Sequence, residues 1–189
     1  MPNDQRPTDV VDVAKQLAAG LHAEGHDYSL GGALALGFWG TVDVYLTIYL
    51  PPDRPSECVW VLQQLGCDVS ASEAHHSIVE HGFCKVEYGG FRVDVFLPSI
   101  PFYATACDRR RAVQLEEQTV YVWDAGTLCV FKMMFFREKD SVDLREMLRV
   151  QGDKLDRNWV RDELVAIYGD RDLRISRWDE LVGEMETSG

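Results

Sequence analysis

The segment with the clearest chemical content runs from residue 31 to residue 46 and reads GGALALGFWGTVDVYL. Gly31 and Gly32 open an apolar stretch, and Thr41 and Asp43 open the next one. Two glycines between a strand and a helix let the backbone approach a phosphate, because they carry no Cβ atom. The amino end of the helix then offers free N–H groups to that phosphate, and an aspartate such as Asp43 would hold a divalent cation beside it. The alternative is a simple turn followed by an aspartate that caps a strand.

A second acidic residue, Asp94, lies in the middle of the apolar segment 91–97. Aspartate is disfavoured in strands, so its position there favours a functional role. If this strand lies beside the one that begins at Asp43, the two carboxylates face the same point, where a bound cation would relieve their repulsion. The alternative is an aspartate on an exposed edge strand that pairs with Arg92 or Lys85.

The third candidate, Lys132, is embedded in the apolar segment FKMMFF. Such a lysine either extends its charged end to solvent or faces a cavity that holds an anion. Farther along the chain, Asp140 is explained from the residues alone as the cap of the next helix, with Asp143 in its first turn.

Periodic hydrophobic patterns predict the elements that position these residues. The predicted strands are 28–30, 43–50, 83–87, 91–97 and 119–123, and the predicted helices are 10–21, 32–38, 56–65, 125–138, 140–150, 155–168 and 173–185. The sequence therefore predicts an α/β (α+β) fold: a mixed β-sheet flanked by helices in residues 1–124, with a helical C-terminal part in residues 125–189. No linker rich in proline, glycine or serine separates the two parts, which predicts one compact unit.

The charge of the chain limits its partners. A formal net charge of −12 on 189 residues repels nucleic-acid backbones in general. An RNA substrate would therefore require bound metal ions or a local basic patch, for which Arg109–Arg111 is the only basic run. The same three arginines would also suit the carboxyl end of a helix that begins near Phe102.

The cysteines and the apolar runs indicate the environment of the protein. Five cysteines occur, an odd number without Cys-x-x-Cys spacing, which argues against a zinc site or a disulfide framework and favours buried thiols. No apolar run reaches the ~18 residues that a membrane span requires. We therefore expect a cytoplasmic protein without a membrane anchor.

Taken in order, these motifs resemble the nucleotidyltransferase superfamily, and within it the bacterial branch of minimal nucleotidyltransferases, abortive-infection toxins and related toxin–antitoxin transferases. The resemblance spans about residues 28–150. The residues that carry it are Gly31-Gly32, Thr41-Val42-Asp43, Arg92-Val93-Asp94, Lys132, Lys139-Asp140 and Asp143-Leu144.

The resemblance implies transfer of a nucleoside monophosphate from an NTP to a hydroxyl acceptor with Mg²⁺. It implies that Gly31, Gly32 and Thr41 hold the phosphates, that Asp43 is a metal ligand, and that Asp94 ligates metal or activates the acceptor hydroxyl. The acceptor in such proteins is RNA, a protein or a small molecule.

The resemblance also assigns two residues of the helical part and one partner. Lys132 matches a lysine that contacts the nucleotide phosphates, and Asp140 matches an acid that supports the active site. A cognate antitoxin is the protein partner that the toxin-like branch implies.

One position departs from the family pattern. The family has Asp-x-Asp after the glycines, and here Tyr45 stands at the second aspartate position. A phenol with a pKa near ~10 provides no anionic ligand at pH 7, and two ions about 4 Å apart require a bridging carboxylate. The segment before Thr41 is also shorter than in that branch and lacks its usual arginine. Both features favour the alternative hypothesis, a catalytically degenerate relative that acts as a binding or regulatory protein.

Overall fold

The computed structural model describes residues 6–32 and 44–187. The chain forms two compact units, Met1–Trp123 and Asp124–Gly189. Residues 33–38 of the predicted helix 32–38 lie outside the described residues, as do the two site residues Thr41 and Asp43.

The first unit contains a six-stranded mixed sheet and four helices among its described residues. Its elements are α1 (Val10–Ala23), β1 (Tyr28–Gly31), β2 (Val44–Ile48), α2 (Pro55–Gln64), α3 (Ala71–His81), β3 (Phe83–Tyr88), β4 (Phe91–Phe96), α4 (Phe102–Arg109), β5 (Arg111–Leu115) and β6 (Gln118–Val122). The strand order is β3-β4-β2-β1-β6-β5. The β2–β4 and β1–β6 pairs are parallel, and the other three pairs are antiparallel.

The register of the strands shows which residues share each face of the sheet. Val122, Leu30, Leu46, Val95 and Cys84 lie side by side across five strands, and all five are buried. Together with the apolar faces of α1, α2 and α3 they form the main hydrophobic core of this unit. Because side chains alternate along a strand, the residues one position away face the opposite side of the sheet.

The second unit is helical: α5 (Ala125–Phe135), α6 (Glu138–Gln151), a short 3₁₀ turn (Gly152–Lys154), α7 (Arg157–Tyr168) and α8 (Leu173–Thr187). Helix α5 contacts the other three helices, and every residue from Gly126 to Met133 is buried. The predicted helix 125–138 ends early, because Phe136 adopts the left-handed conformation (φ 52°) that terminates α5.

Two elements were absent from the sequence prediction, α3 and β5. Neither has a hydrophobic pattern: only Ala74 and Ile78 of α3 are buried, and Leu115 is the one buried residue of β5. No helix within the described parts of the chain has the length and apolar character to cross a membrane.

Candidate functional site

The face of the sheet opposite the main core carries Gly31 and Asp94, two of the predicted site residues that the structure describes in the first unit. Gly31, Tyr45, Asp94 and Lys85 lie side by side on β1, β2, β4 and β3. The sequence left open whether the Asp94 strand lies beside the strand after the glycine pair, and it does, since β2 and β4 pair in parallel. We call these four residues, with Gly32, the site row.

Aromatic rings cover both glycines of the site row. A Cβ atom at position 31 would overlap the indole ring of Trp123, and one at position 32 would overlap the ring of Tyr45. Gly32 also has a φ of 67°, which disfavours any residue with a side chain. Packing against these two rings therefore requires the glycine pair, whether or not a phosphate binds there.

Asp94 is buried, with 6% of its surface exposed, and β4 is an interior strand. The exposed edge-strand interpretation of this residue is therefore wrong, although its pairing with Arg92 is correct. The carboxylate accepts hydrogen bonds from Nε of Arg92 at 3.1 Å and from Nη2 at 3.4 Å. The side chain of Arg92 is half exposed, whereas that of Asp94 is 9% exposed, so the ion pair joins a buried carboxylate to a solvent-accessible arginine.

The site row continues into an aromatic and polar patch that the sequence did not predict. The ring of Phe96 lies 5.9 Å from that of Tyr45 and stacks on Phe83 at 5.4 Å. Thr47, next to Phe96 in register, is fully buried, and its Oγ1 has no hydrogen-bond partner among the described residues. Alternation of side chains along β2 already places Thr47 on the same face as Tyr45. The contacts of Phe96 with Tyr45 and Phe83, in contrast, depend on how the strands pair, which the sequence did not reveal.

A second polar group surrounds the Tyr49 hydroxyl, which lies 3.0 Å from Oγ of Ser29 and accepts a hydrogen bond from Nε1 of Trp123 at 3.3 Å. Burial raises the pKa of Tyr49, so the phenol stays neutral. The hydrogen bond from Trp123 to the Tyr49 hydroxyl therefore fixes the orientation of the indole ring, and that ring packs against Gly31.

Lys132 and Asp140 are both buried and lie together in the second unit, in a group of charges whose other two members, Asp143 and Arg137, are partly exposed. Nζ of Lys132 donates to Oδ2 of Asp143 at 2.5 Å and lies 3.7 Å from Oδ1 of Asp140. Asp140 in turn accepts from Nε and Nη2 of Arg137 at 2.7 and 3.0 Å. Two cations and two anions thus balance one another, and they tie α5 to the start of α6.

Asp140 also accepts a hydrogen bond from the backbone N–H of Arg137 at 3.1 Å, which caps the start of α6. Its carboxylate is 1% exposed. Burial would raise the pKa of Asp140, but the hydrogen bonds and the positive charge of Arg137 outweigh that effect and hold the pKa below its ordinary value. Asp140 therefore does cap this helix, but from its third position, since α6 begins at Glu138 rather than at Asp140, and the expectation that Asp143 lies in the first turn is wrong.

The arginine run is divided between a helix and a strand. Arg109 ends α4, as predicted, and Arg111 begins β5. Arg110 donates from Nη2 to Oδ1 of Asp27 at 2.5 Å and stacks on the Tyr121 ring at 4.9 Å. At least one of the three guanidinium groups is thus engaged within the first unit.

The donor set of the site row does not fit a Mg²⁺ site by itself. It contains one carboxylate, Asp94, which is already paired with Arg92, and one neutral phenol, Tyr45. Among residues 6–32 and 44–187, no group of three His, Cys, Asp or Glu side chains could hold a metal ion. The Mg²⁺ assigned to Asp43 and Asp94 stays a prediction.

Comparison with solved structures identifies the fold. The chain superimposes on the antibiotic-resistance factor ANT(2'')-Ia with a TM-score of 0.57 at 12% identity, over 94% of this chain and 97% of the other. It also superimposes on an antigenic nucleotidyltransferase-like protein from Paracoccidioides brasiliensis with a TM-score of 0.51 at 16% identity, over 89% and 93% of the two chains. No protein-family model and no curated protein matches the sequence. The likeness shows that the chain has a nucleotidyltransferase-like fold.

Proposed function

We propose that this protein transfers a nucleoside monophosphate from an NTP to a hydroxyl acceptor. The observation that carries the proposal is the register of the site row, in which Asp94 lies on the strand beside the one that follows Gly31 and Gly32. The nucleotidyltransferase-like fold supports the same reaction class.

In the proposed reaction, the acceptor hydroxyl oxygen attacks the α-phosphorus of the NTP, and the bond to the pyrophosphate leaving group breaks. Among the residues that the structure describes, Asp94 is the one that would act as the general base and take the hydroxyl proton. The glycine backbone, with Thr41, would position the phosphates. The roles of Asp43, Lys132 and Asp140, the Mg²⁺ ion, the toxin-like branch and a cognate antitoxin remain predictions from the sequence.

The test is transfer of label from α-³²P-labelled NTPs to the RNA, protein or small-molecule fractions of a lysate. We expect the wild type to label one fraction, and Asp94→Asn to lower the rate by about 100-fold or more, since it removes the base. Asp179→Asn is the matched control, because it removes another arginine-paired carboxylate, at an exposed position of α8. A wild type that labels nothing, and binds no NTP in calorimetry with Mg²⁺ present, would contradict the proposal.

A second candidate function, nucleotide binding without transfer, is favoured by Tyr45, which stands in register with Asp94 and supplies no second carboxylate to the site row. This function predicts that calorimetry detects NTP binding while no fraction becomes labelled. Asp94→Asn would then change the affinity for NTP, but there would be no reaction rate to change.

A further inference from the structure

The edge strand β5 is unusually open. It ends the strand order of the sheet, and within the described chain β6 is the only strand that pairs with it. Four consecutive residues, Arg111 to Gln114, are exposed, so solvent reaches both faces as well as the edge. An edge strand with free backbone N–H and C=O groups is a template for another strand.

The opposite edge of the sheet, at β3, is protected. Asp68 exchanges two backbone hydrogen bonds with Glu87, at 2.7 and 3.1 Å. Near the other end of β3, Oγ of Ser77 donates to the carbonyl oxygen of Phe83 at 2.7 Å. Among the described residues β5 has no equivalent cover, and it contains neither proline nor lysine. The contrast makes the β5 edge, rather than the β3 edge, the one open to pairing with another strand.

The charges at the two ends of β5 specify that partner. Arg111, at the start, is exposed and has no ion-pair partner among the described residues. Glu116 and Glu117, just past the other end, both contact Lys15, at 2.6 and 2.9 Å. Two carboxylates thus share one ammonium group, which leaves a negative charge in excess. The β5 strand thus has a positive charge at its start and a negative charge just past its end. When two such strands pair antiparallel, each positive end lies beside the negative end of the other copy.

We propose that β5 pairs antiparallel with β5 of a second copy of this chain, with Val113 facing Val113 across the two-fold axis. Val113 is 37% exposed, and this pairing would cover it. Arg111 of each copy then lies beside the Glu116-Glu117 turn of the other, and the two six-stranded sheets become continuous. A five-residue strand pair is smaller than a standard interface, so the dimer is concentration-dependent.

The test is sedimentation velocity of the full chain from micromolar to millimolar concentrations, with a charge swap between the two ends. Arg111→Glu and Glu117→Arg each place like charges at both ends of the interface. We expect each single variant to weaken dimerisation by roughly tenfold. An equimolar mixture of the two variants restores opposite charges at both ends, and it should dimerise like the wild type.

Recovery in the mixture excludes misfolding as the cause of the loss. Hydrogen exchange of the β5 amides supplies the second readout: it should slow with concentration in the wild type and in the equimolar mixture, but much less in either single variant. A wild type that stays monomeric at millimolar concentration, or a dimer whose β5 amides exchange as fast as in the monomer, would overturn the proposal.

Discussion

The ring of Tyr45 lies against the backbone of Gly32, at the place where any side chain at position 32 would overlap it. The same tyrosine is in register with Asp94 on the neighbouring strand. One side chain therefore separates the glycine pair from the carboxylate. A phosphate could approach Gly32 from this side only if the Tyr45 ring moved.

The contact between Tyr45 and Gly32 predicts a specific loss of stability in Gly32→Ala. Gly32 and Gly25 both have positive φ, at 67° and 74°, but an added Cβ at Gly25 meets nothing within 4 Å. We expect Gly25→Ala to cost about 1 kcal/mol for the backbone alone. Gly32→Ala should cost about 1–3 kcal/mol more because of overpacking. Urea unfolding measures both values, and equal losses would show that the ring contact is unimportant.

The parts of this site that the sequence predicted are those with a local signal. Asp94 stands out because an acid interrupts an apolar strand, whereas the sequence left the adjacency of β2 and β4 as a condition that only the strand pairing settles. The glycine pair is also visible as a pattern. The Trp123 ring that covers Gly31 comes from a residue far along the chain, so only the β1–β6 pairing reveals that contact.

The two elements that the sequence did not predict, α3 and β5, are mostly exposed to solvent. Periodicity detects an element through its buried face, and β5 has one buried residue while α3 has two. The balance of charges around Lys132 was also hidden, because its partners Asp140 and Asp143 lie on the next helix. The sequence offered solvent or an anion as the environment of Lys132, and the structure places carboxylates there.

Lys132→Met should destabilise the second unit. The lysine is buried and donates to Asp143, so its loss removes the only cation bonded to that half-buried carboxylate among the described residues, while Arg137 still compensates Asp140. We expect a loss of about 2 kcal/mol in chemical unfolding, the usual cost of losing a hydrogen bond to a charged group. Asp179→Asn, which breaks the exposed pair with Arg161, should cost less than about 1 kcal/mol. Similar losses in the two variants would mean that the Lys132 cluster is effectively solvated.

Asp140→Asn should flatten the acid limb of the stability profile. Although burial opposes ionisation, Arg137 holds the pKa of Asp140 below its ordinary value. Its contribution is therefore complete above the unfolded-state pKa of about 3.9, and it is lost as pH falls through the lower folded-state pKa. Unfolding midpoints between neutral pH and pH ~2 should fall less steeply in Asp140→Asn than in the wild type. Parallel profiles would contradict this role.

Alkylation of the folded protein should modify Cys107 first. All five cysteines are free thiols, and Cys107 alone is not fully buried. Burial raises the pKa of Cys67 and of Cys84 to about 12, so few thiolates form there at pH 8. Mass spectrometry after brief iodoacetamide treatment should find a single adduct, which Cys107→Ser removes. Rapid labelling of Cys67 or Cys84 without denaturant would show that the core opens locally.

Tyr45→Asp should create a metal site beside Asp94. The two positions are in register on parallel strands about 4.8 Å apart, so the new carboxylate faces the existing one. Their repulsion lowers stability without metal, and a bound cation relieves it. We expect Mg²⁺ to raise the melting temperature of Tyr45→Asp. It should have no such effect on Tyr45→Asn, which loses the same phenol and adds no charge. Because both variants uncover Gly32 equally, the difference between their responses to Mg²⁺ isolates the missing carboxylate, and an equal response would show that position 45 does not face a metal site.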